Sequence, residues 1–429
     1  MFVRRSIPLA LALAAMVAPM VSAEGQATPP AAGTPLSLDD AVRIALANNQ
    51  AIRAQRLGID ISRADEITAG LKPNPNLALG FAGVPVAPSQ FNATFFKDVA
   101  QYTAALGYTF ERGGKRNARV VTAKDSTDVT AKSVADAERQ LRFQTIQAFV
   151  SVQLAKSTLD LAQQDLASYT TTVTTSQAQL AAGALAQGDY DQISLQKLQF
   201  QQDVSAAQLS LIQSKASLRH LLGYGNVPDT FDISGDLTHL KITFTLDALK
   251  QDALASRPDL QSAEASLKMA NDDVDLAISN RARDINGNVN YSRNAIGPDS
   301  VLGVGVAFDL KVHDQNQGNI AHARIAVDQA KETEASTRAG VLTDVESAFA
   351  QYQTNDQILT LFESGYLDQA KESLDITTYS YQRGAASLLD LLNAERTYRS
   401  TQLAYRQALA AYVTSLFQIN FVVGRQVVP

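Results

Sequence analysis

Along most of this chain hydrophobic residues recur at helical spacing, and in two regions that rhythm gives way to strict two-residue alternation. From about Asn117 to Ala182 there is no Gly or Pro, and Leu141, Ile146, Phe149, Val152 and Leu159 follow a helical stripe. At 1.5 Å per residue this predicts a helix on the order of 100 Å long, more than a globular core needs. Gly183 and Gly188 punctuate it, and a second helix is expected over 186–222, ending at Gly223, a residue suited to a C-terminal cap. A later tract repeats the arrangement over about 319–381, breaks at Gly384 and resumes over 386–421, with Tyr405, Leu409, Tyr412, Val413, Leu416 and Phe417 marking its apolar stripe. Proline agrees with this map. It occurs at Pro73, Pro75, Pro85, Pro88, Pro228, Pro258 and Pro298, leaving long Pro-free tracts in which such helices fit.

The alternating segments lie between the short and long helices. In 101–111, Tyr102, Ala104, Leu106, Tyr108 and Phe110 share one face and Gln101, Thr103, Ala105, Gly107 and Thr109 the other. In 300–310 the apolar set is Leu302, Val304, Val306, Phe308 and Leu310, against Gly303, Gly305, Ala307 and Asp309. Leu77, Leu79 and Phe81 alternate with small or polar residues in 75–83, and Ile285, Val289 and Tyr291 alternate with Asn286, Asn288 and Asn290 in 284–293. Each segment has about the length of a tilted strand that crosses a bilayer. A soluble sheet over a core would show the same alternation in any one strand; four such strands without a partner sheet favour the membrane.

The two halves align by hand. Leu38-Asp39 matches Leu246-Asp247, Ala45-Leu46-Ala47 matches Ala253-Leu254-Ala255, and Gly183-Ala184 matches Gly384-Ala385, with Asp189 and Asp390 each six residues past the glycine. The expected plan is a repeat over 37–223, a connector over 224–244, a second repeat over 245–423 and a tail over 424–429.

Composition narrows the class. Arg4 and Arg5, an apolar run and Val21-Ser22-Ala23 read as a signal peptide over 1–23, followed by a polar, Pro-rich arm over 24–36. Cysteine is absent, which removes thiolate metal sites, a nucleophilic Cys and a Cys-linked lipid anchor, so no lipidation is expected. Loss of the leader leaves 35 basic against 43 acidic residues, which argues against nucleic acid as a partner. No other stretch has the roughly 18 consecutive apolar residues of a spanning helix. If the chain crosses a membrane, strands do it, and since four strands cannot close a barrel, several chains must share one. The fold class expected is mainly α with a membrane β-barrel part, built from tandem helical hairpins and four transmembrane strands.

Several short motifs, weak singly and specific in their order, resemble the TolC-type outer-membrane efflux family over nearly the whole mature length. They are Leu38-Asp39, Arg257-Pro258-Asp259-Leu260, Leu218 with Leu221-Leu222-Gly223, and Gly384 leading to Asp390 and Ala394-Glu395-Arg396. Pro73-Asn74-Pro75, Glu111-Arg112-Gly113-Gly114-Lys115-Arg116 and Asn316-Gln317-Gly318 look most like its heavy-metal, CzcC-like branch. The resemblance implies an outer-membrane homotrimer with a twelve-stranded barrel and a periplasmic helical tunnel, docked to a periplasmic adaptor and an inner-membrane pump. Metal-cation cargo is favoured over drugs. A polypeptide exit duct and a non-transporting coiled-coil envelope protein are the alternatives, and a mere spacer would not need the strands.

The same resemblance places a gate at the helix tips: Asp390 at an acidic ring, Tyr381 as a tyrosine tying the second hairpin to its neighbour, Asp189 as the repeat counterpart, and Asn393 where some relatives carry a second acid. Asp189 and Asp390 would also serve simply as helix-start residues, and for Asp189 that reading is preferred. Thr103, Asn286, Asn288 and Asn290 are expected to line the barrel lumen; Tyr102, Leu106, Tyr108, Phe110, Leu302, Val304, Val306 and Phe308 are expected to face lipid. Lys115, Arg116 and Arg119 could touch head groups or only stop a strand. His220, His239, His313 and His322 are isolated in sequence, so no metal site is expected. No Ser-His-Asp set, phosphate loop or paired carboxylates appear, so neither enzymatic activity nor a cofactor is expected.

Overall fold

The structure, a computed structural model, describes residues 35–84, 86, 87, 94, 99–293 and 299–428. The expected leader, most of the arm, and Pro85, Pro88 and Pro298 lie outside these residues.

The first unit opens with α1 (Leu38–Asn48) and α2 (Gln50–Ala69), joined by Asn49, whose side chain accepts from the Ala51 and Ile52 amides to start the second helix. Strands β1 (Asn76–Ala82) and β2 (Gln101–Phe110) follow, then α3 (Lys115–Ala181) and α4 (Gln187–Leu221). The second unit repeats the plan: α5 (Leu246–Ser256), α6 (Pro258–Ser279), β3 (Ile285–Arg293), β4 (Val301–Ala307) and α7 (Gln317–Leu361). A π turn over Phe362–Tyr366 leads into α8 (Leu367–Gln382), and α9 (Leu388–Val423) closes the chain. Helix α3, at 67 residues, has the length expected from its Gly- and Pro-free sequence.

Two expectations change. The tract expected as one helix over 319–381 is interrupted where Gly365 takes φ 122°, a conformation only glycine adopts without strain. Strand β4 ends at Ala307, opposite Asn286, so Phe308 and Leu310 lie beyond the sheet, both exposed.

Each unit has its own core at mid-height. Leu36, Ile44, Phe149, Val152, Leu218 and Leu222 pack with Val227 and Ile233 in one; Leu260, Val345, Leu359, Tyr412 and Ile419 pack with Val428 in the other. The connector is a strap fastened to both. Its Ile233 bridges Leu36, Lys156 pairs with Asp232 at 2.7 Å, and the hydroxyls of Tyr412 and Tyr352 each donate to connector carbonyls, at Leu240 and Ile242, both at 2.5 Å. Arg257, buried between α5 and α6, binds Asp259 at 2.5 Å and reaches Asp344 on α7 at 2.8 Å, an interhelix packing role.

Candidate functional site

Two places in this fold carry unusual surfaces: the sheet at one end of the long helices and the tips of the hairpins at the other. The sheet is antiparallel throughout, in the order β1-β2-β3-β4, so β2–β3 pairing joins the two units. Register decides which side chains share a face. Gly80 opposes Thr103, Thr109 opposes Asn286, Asn288 opposes Gly305 and Asn290 opposes Gly303. The polar face thus gathers Thr103, Asn286, Asn288 and Asn290, with Thr109 donating to the Asn286 side-chain oxygen at 2.7 Å. The other face aligns Leu79 with Ala104, Leu106 with Val289, and Tyr291 with Leu302, and it carries Tyr102, Tyr108, Phe110, Val304 and Val306 as well. Leu302, Val304 and Val306 are 71, 80 and 69% exposed in the single chain, an apolar surface that water would not favour. Edges β1 and β4 have no partner strand among the described residues.

Where the strands end, the basic residues are engaged within the chain. Lys115 pairs with Asp284 at 2.8 Å, Arg119 holds Glu111 through two hydrogen bonds at 2.5 and 3.0 Å, and Arg116 donates to the Gly70 carbonyl at 2.6 Å.

At the tips, Gly183 and Gly384 turn the chain with φ of 71° and 73°. Asp390 sits in the first turn of α9 in a capping box. Its carboxylate accepts from the Ser387 hydroxyl at 2.6 Å and the Ser387 amide at 3.0 Å, and its own amide donates back to Ser387 Oγ at 3.2 Å. These bonds lower its pKa below the ordinary carboxylate value. Asp189, half-buried in the first turn of α4, makes no such cap. Tyr381 is partly buried, and its hydroxyl makes no hydrogen bond in this structure. Burial first, and then the charge of Asp189, raise its pKa, so the structure brings a tyrosine of the second hairpin to the tip of the first. Asn393 is exposed one turn after Asp390, its carbonyl accepting from Thr397 at 2.9 Å.

Three features escaped the sequence reading. Ser387-Leu388-Leu389-Asp390 is a legible capping motif. Behind it, Tyr169, Ile193 and Phe200 pack with Leu388 and Leu392, tying the hairpins together. Arg399 stacks over Phe200 at 4.5 Å and binds Asp203 at 2.5 Å and Asp165 at 3.7 Å, while burial pushes the neighbouring Glu395 up to about 7. The third is His239 in the connector, with its side chain 7% exposed and its two ring nitrogens facing Asp356 at 2.9 Å and Glu363 at 2.8 Å. No sequence spacing links a residue to partners 117 and 124 positions away. Among the described residues no group of three or more His, Asp or Glu is arranged to hold a metal ion.

The chain is similar to the cobalt-zinc-cadmium resistance protein CzcC of Cupriavidus metallidurans, 23% identical over 397 residues that cover 92% of each protein. It is 26% identical to the cation efflux system protein CusC of Escherichia coli strain K12 over 272 residues, 60% of this chain and 58% of that one. Among solved structures, CusC superposes with a TM-score of 0.76 at 19% identity, covering 91% of this chain and 92% of that one. The open state of the MtrE outer membrane channel of Neisseria gonorrhoeae does so with a TM-score of 0.74, also at 19% identity, covering 90% and 89%. The model of the outer membrane efflux protein family matches residues 41–224 and 249–425, one block in each repeat, and the chain therefore belongs to that family.

Proposed function

We propose that three copies of the chain close a twelve-stranded barrel in the outer membrane and continue as a helical duct through the periplasm, an exit channel for cations delivered by an inner-membrane pump through a periplasmic adaptor. The observation that carries this is the sheet. It has one apolar and one polar face and two open edges, and such an object is stable in lipid only if its edges pair with other chains. Strands β1 to β4 then take the lipid-facing and lumen-facing roles, and four per chain give an even total of twelve. Cation cargo is favoured by the names of the relatives CzcC and CusC, and transport through a passive duct asks for no catalytic residues. With no cysteine in the sequence, the chain is read as unlipidated.

Three Asp390 carboxylates about the axis would attract cations at the tip, with Tyr381, Asp189 and Asn393 at the seam between hairpins. Single-channel recording in planar bilayers tests this. The native chain should give small cation-selective openings blocked by divalent cations; Asp390→Ala should relieve the block, and Ser387→Ala, which removes the cap but keeps the charge, should leave it. Loss of block in both variants alike would assign Asp390 to capping, and silence of the native trimer would overturn the channel.

A further inference from the structure

The clearest asymmetry between the two repeats lies in their long helices. Helix α3 runs unbroken past Gln164, the residue that aligns with Gly365 when Gly183 is matched to Gly384. In the second unit the same level holds the π turn, closed by the Leu367 amide donating to the Phe362 carbonyl, five residues back. Single π turns inside α-helices occur frequently at functional sites. The packing agrees. Among described residues the π turn and α8 contribute no buried side chain, whereas the matching part of α3 buries Leu161, Tyr169 and Ser176. Between the π turn and α9 lies an open groove of about 460 Å³, bordered by Leu361, Tyr366, Thr397 and Thr401. Segments with few buried contacts are the ones that open locally at low free energy.

One side chain closes over this weak point. We propose that His239 is the positioning residue of a hinge at Gly365: from the connector it grips Asp356 before the hinge and Glu363 within it, and so sets how freely the second hairpin swings its tip. This rests on the channel reading, since a swinging tip matters only to a duct that opens. The grip is well built. His239 is backed edge-on by the Tyr412 ring at 4.7 Å, and the connector just after it is anchored at Leu240 and Ile242 through the Tyr412 and Tyr352 hydroxyls. Asp356 and Glu363 come from α7 and the π turn, Tyr352 from α7, and Tyr412 and Tyr405 from α9. Arg406, also on α9, is turned towards Ser157 and Gln402. Both carboxylates are satisfied together only by a ring with two N–H donors, the imidazolium. Burial opposes that charge, but the hydrogen bonds to Asp356 and then Glu363 outweigh it and raise the His239 pKa above the ordinary 6.5. A pKa raised by folding gives a grip fully present below the ordinary value and lost as pH rises through the higher one. Alkaline conditions release the hinge, and acid fastens it.

Hydrogen exchange of the purified full-length trimer, corrected for the intrinsic pH dependence of exchange, reads the hinge without requiring conductance. Between about pH 6 and about pH 9, amides of 362–382 should lose protection by about tenfold in the native protein, while α3 stays unchanged. His239→Gln should show the unprotected level at both pH values. His239→Arg, a cation across this range, should restore protection at both. Should His239→Gln not fold, Glu363→Gln, altered at an exposed residue, should weaken the grip in the same segment. Protection in 362–382 that ignores pH, or that falls equally in α3, would overturn the proposal. A pH-dependent hinge in a protein that never conducts would instead sink the channel reading.

Discussion

Glu395 shows how a residue's meaning is set by neighbours far away in sequence. It lies beside Arg399 on the same helix, yet Arg399 is engaged by Asp203 and Asp165 from the first hairpin, and burial of Glu395 dominates, pushing it from 4.5 to about 7. A carboxyl whose pKa is raised by folding binds its proton more tightly in the native state. Its protonation therefore supports the fold at acid pH, and that support is lost as pH rises from about 4.5 to about 7. Over this window the tip should lose on the order of 2–3 kcal/mol of local stability. Thermal unfolding of the detergent-solubilised protein should show Tm falling with pH for the native sequence. Glu395→Gln, which cannot ionise, should flatten that slope; an unchanged slope would remove Glu395 from the account. Asp390 is the opposite case, its negative charge favoured by Ser387, so it stays ionised where Glu395 does not.

At the scale of elements, the sheet's polar face is shaped by glycine as much as by asparagine. A Cβ at Gly303 would lie 2.5 Å from Asn290 Oδ1, and one at Gly305 2.7 Å from Asn288 Oδ1, so these amides rest in the spaces the glycines leave. Adding a methyl forces each amide to swing off the strand surface, towards the lumen if that face lines a pore. Gly303→Ala and Gly305→Ala should lower single-channel conductance while changing stability by less than about 1 kcal/mol, since a strand gains from losing a glycine part of what the displaced amide loses. Gly287→Ala, on the opposite face near Phe110, is the control that should leave conductance alone. The alternation that sorts these faces was legible in the sequence. The pairing of each glycine with an amide was not, because it depends on inter-strand register, which alternation by itself leaves open.

For the whole molecule, the open edges of β1 and β4 make a geometric demand. Within one chain two strands separate them, a gap of about 14 Å at the usual strand spacing, twice what a disulfide spans. The chain has no native cysteine to interfere. Leu79→Cys combined in turn with Leu302→Cys, Val304→Cys and Val306→Cys should therefore give, on mild oxidation, covalent dimers and trimers on a non-reducing gel from at least one pair. Only uncross-linked chains from all three would contradict a shared barrel. The exposed stripe Leu195, Leu198, Leu209 and Ile212 on α4 fits the same picture of a surface left uncovered by the single chain.

What the sequence determined by itself was what local physics encodes. Helix length followed from the absence of glycine and proline, strand faces from alternation, and the double plan from internal repetition. Even the cap at Asp390 was written in the spacing of Ser387. Tertiary structure alone decided the rest: that Gly365 breaks a helix which its neighbours would continue, that Arg399 serves Asp203 and Asp165 while burial raises the Glu395 carboxyl, and that His239 meets Asp356 and Glu363. These outcomes depend on burial and on distances between residues a hundred or more positions apart. Such quantities come into being only when the helices pack.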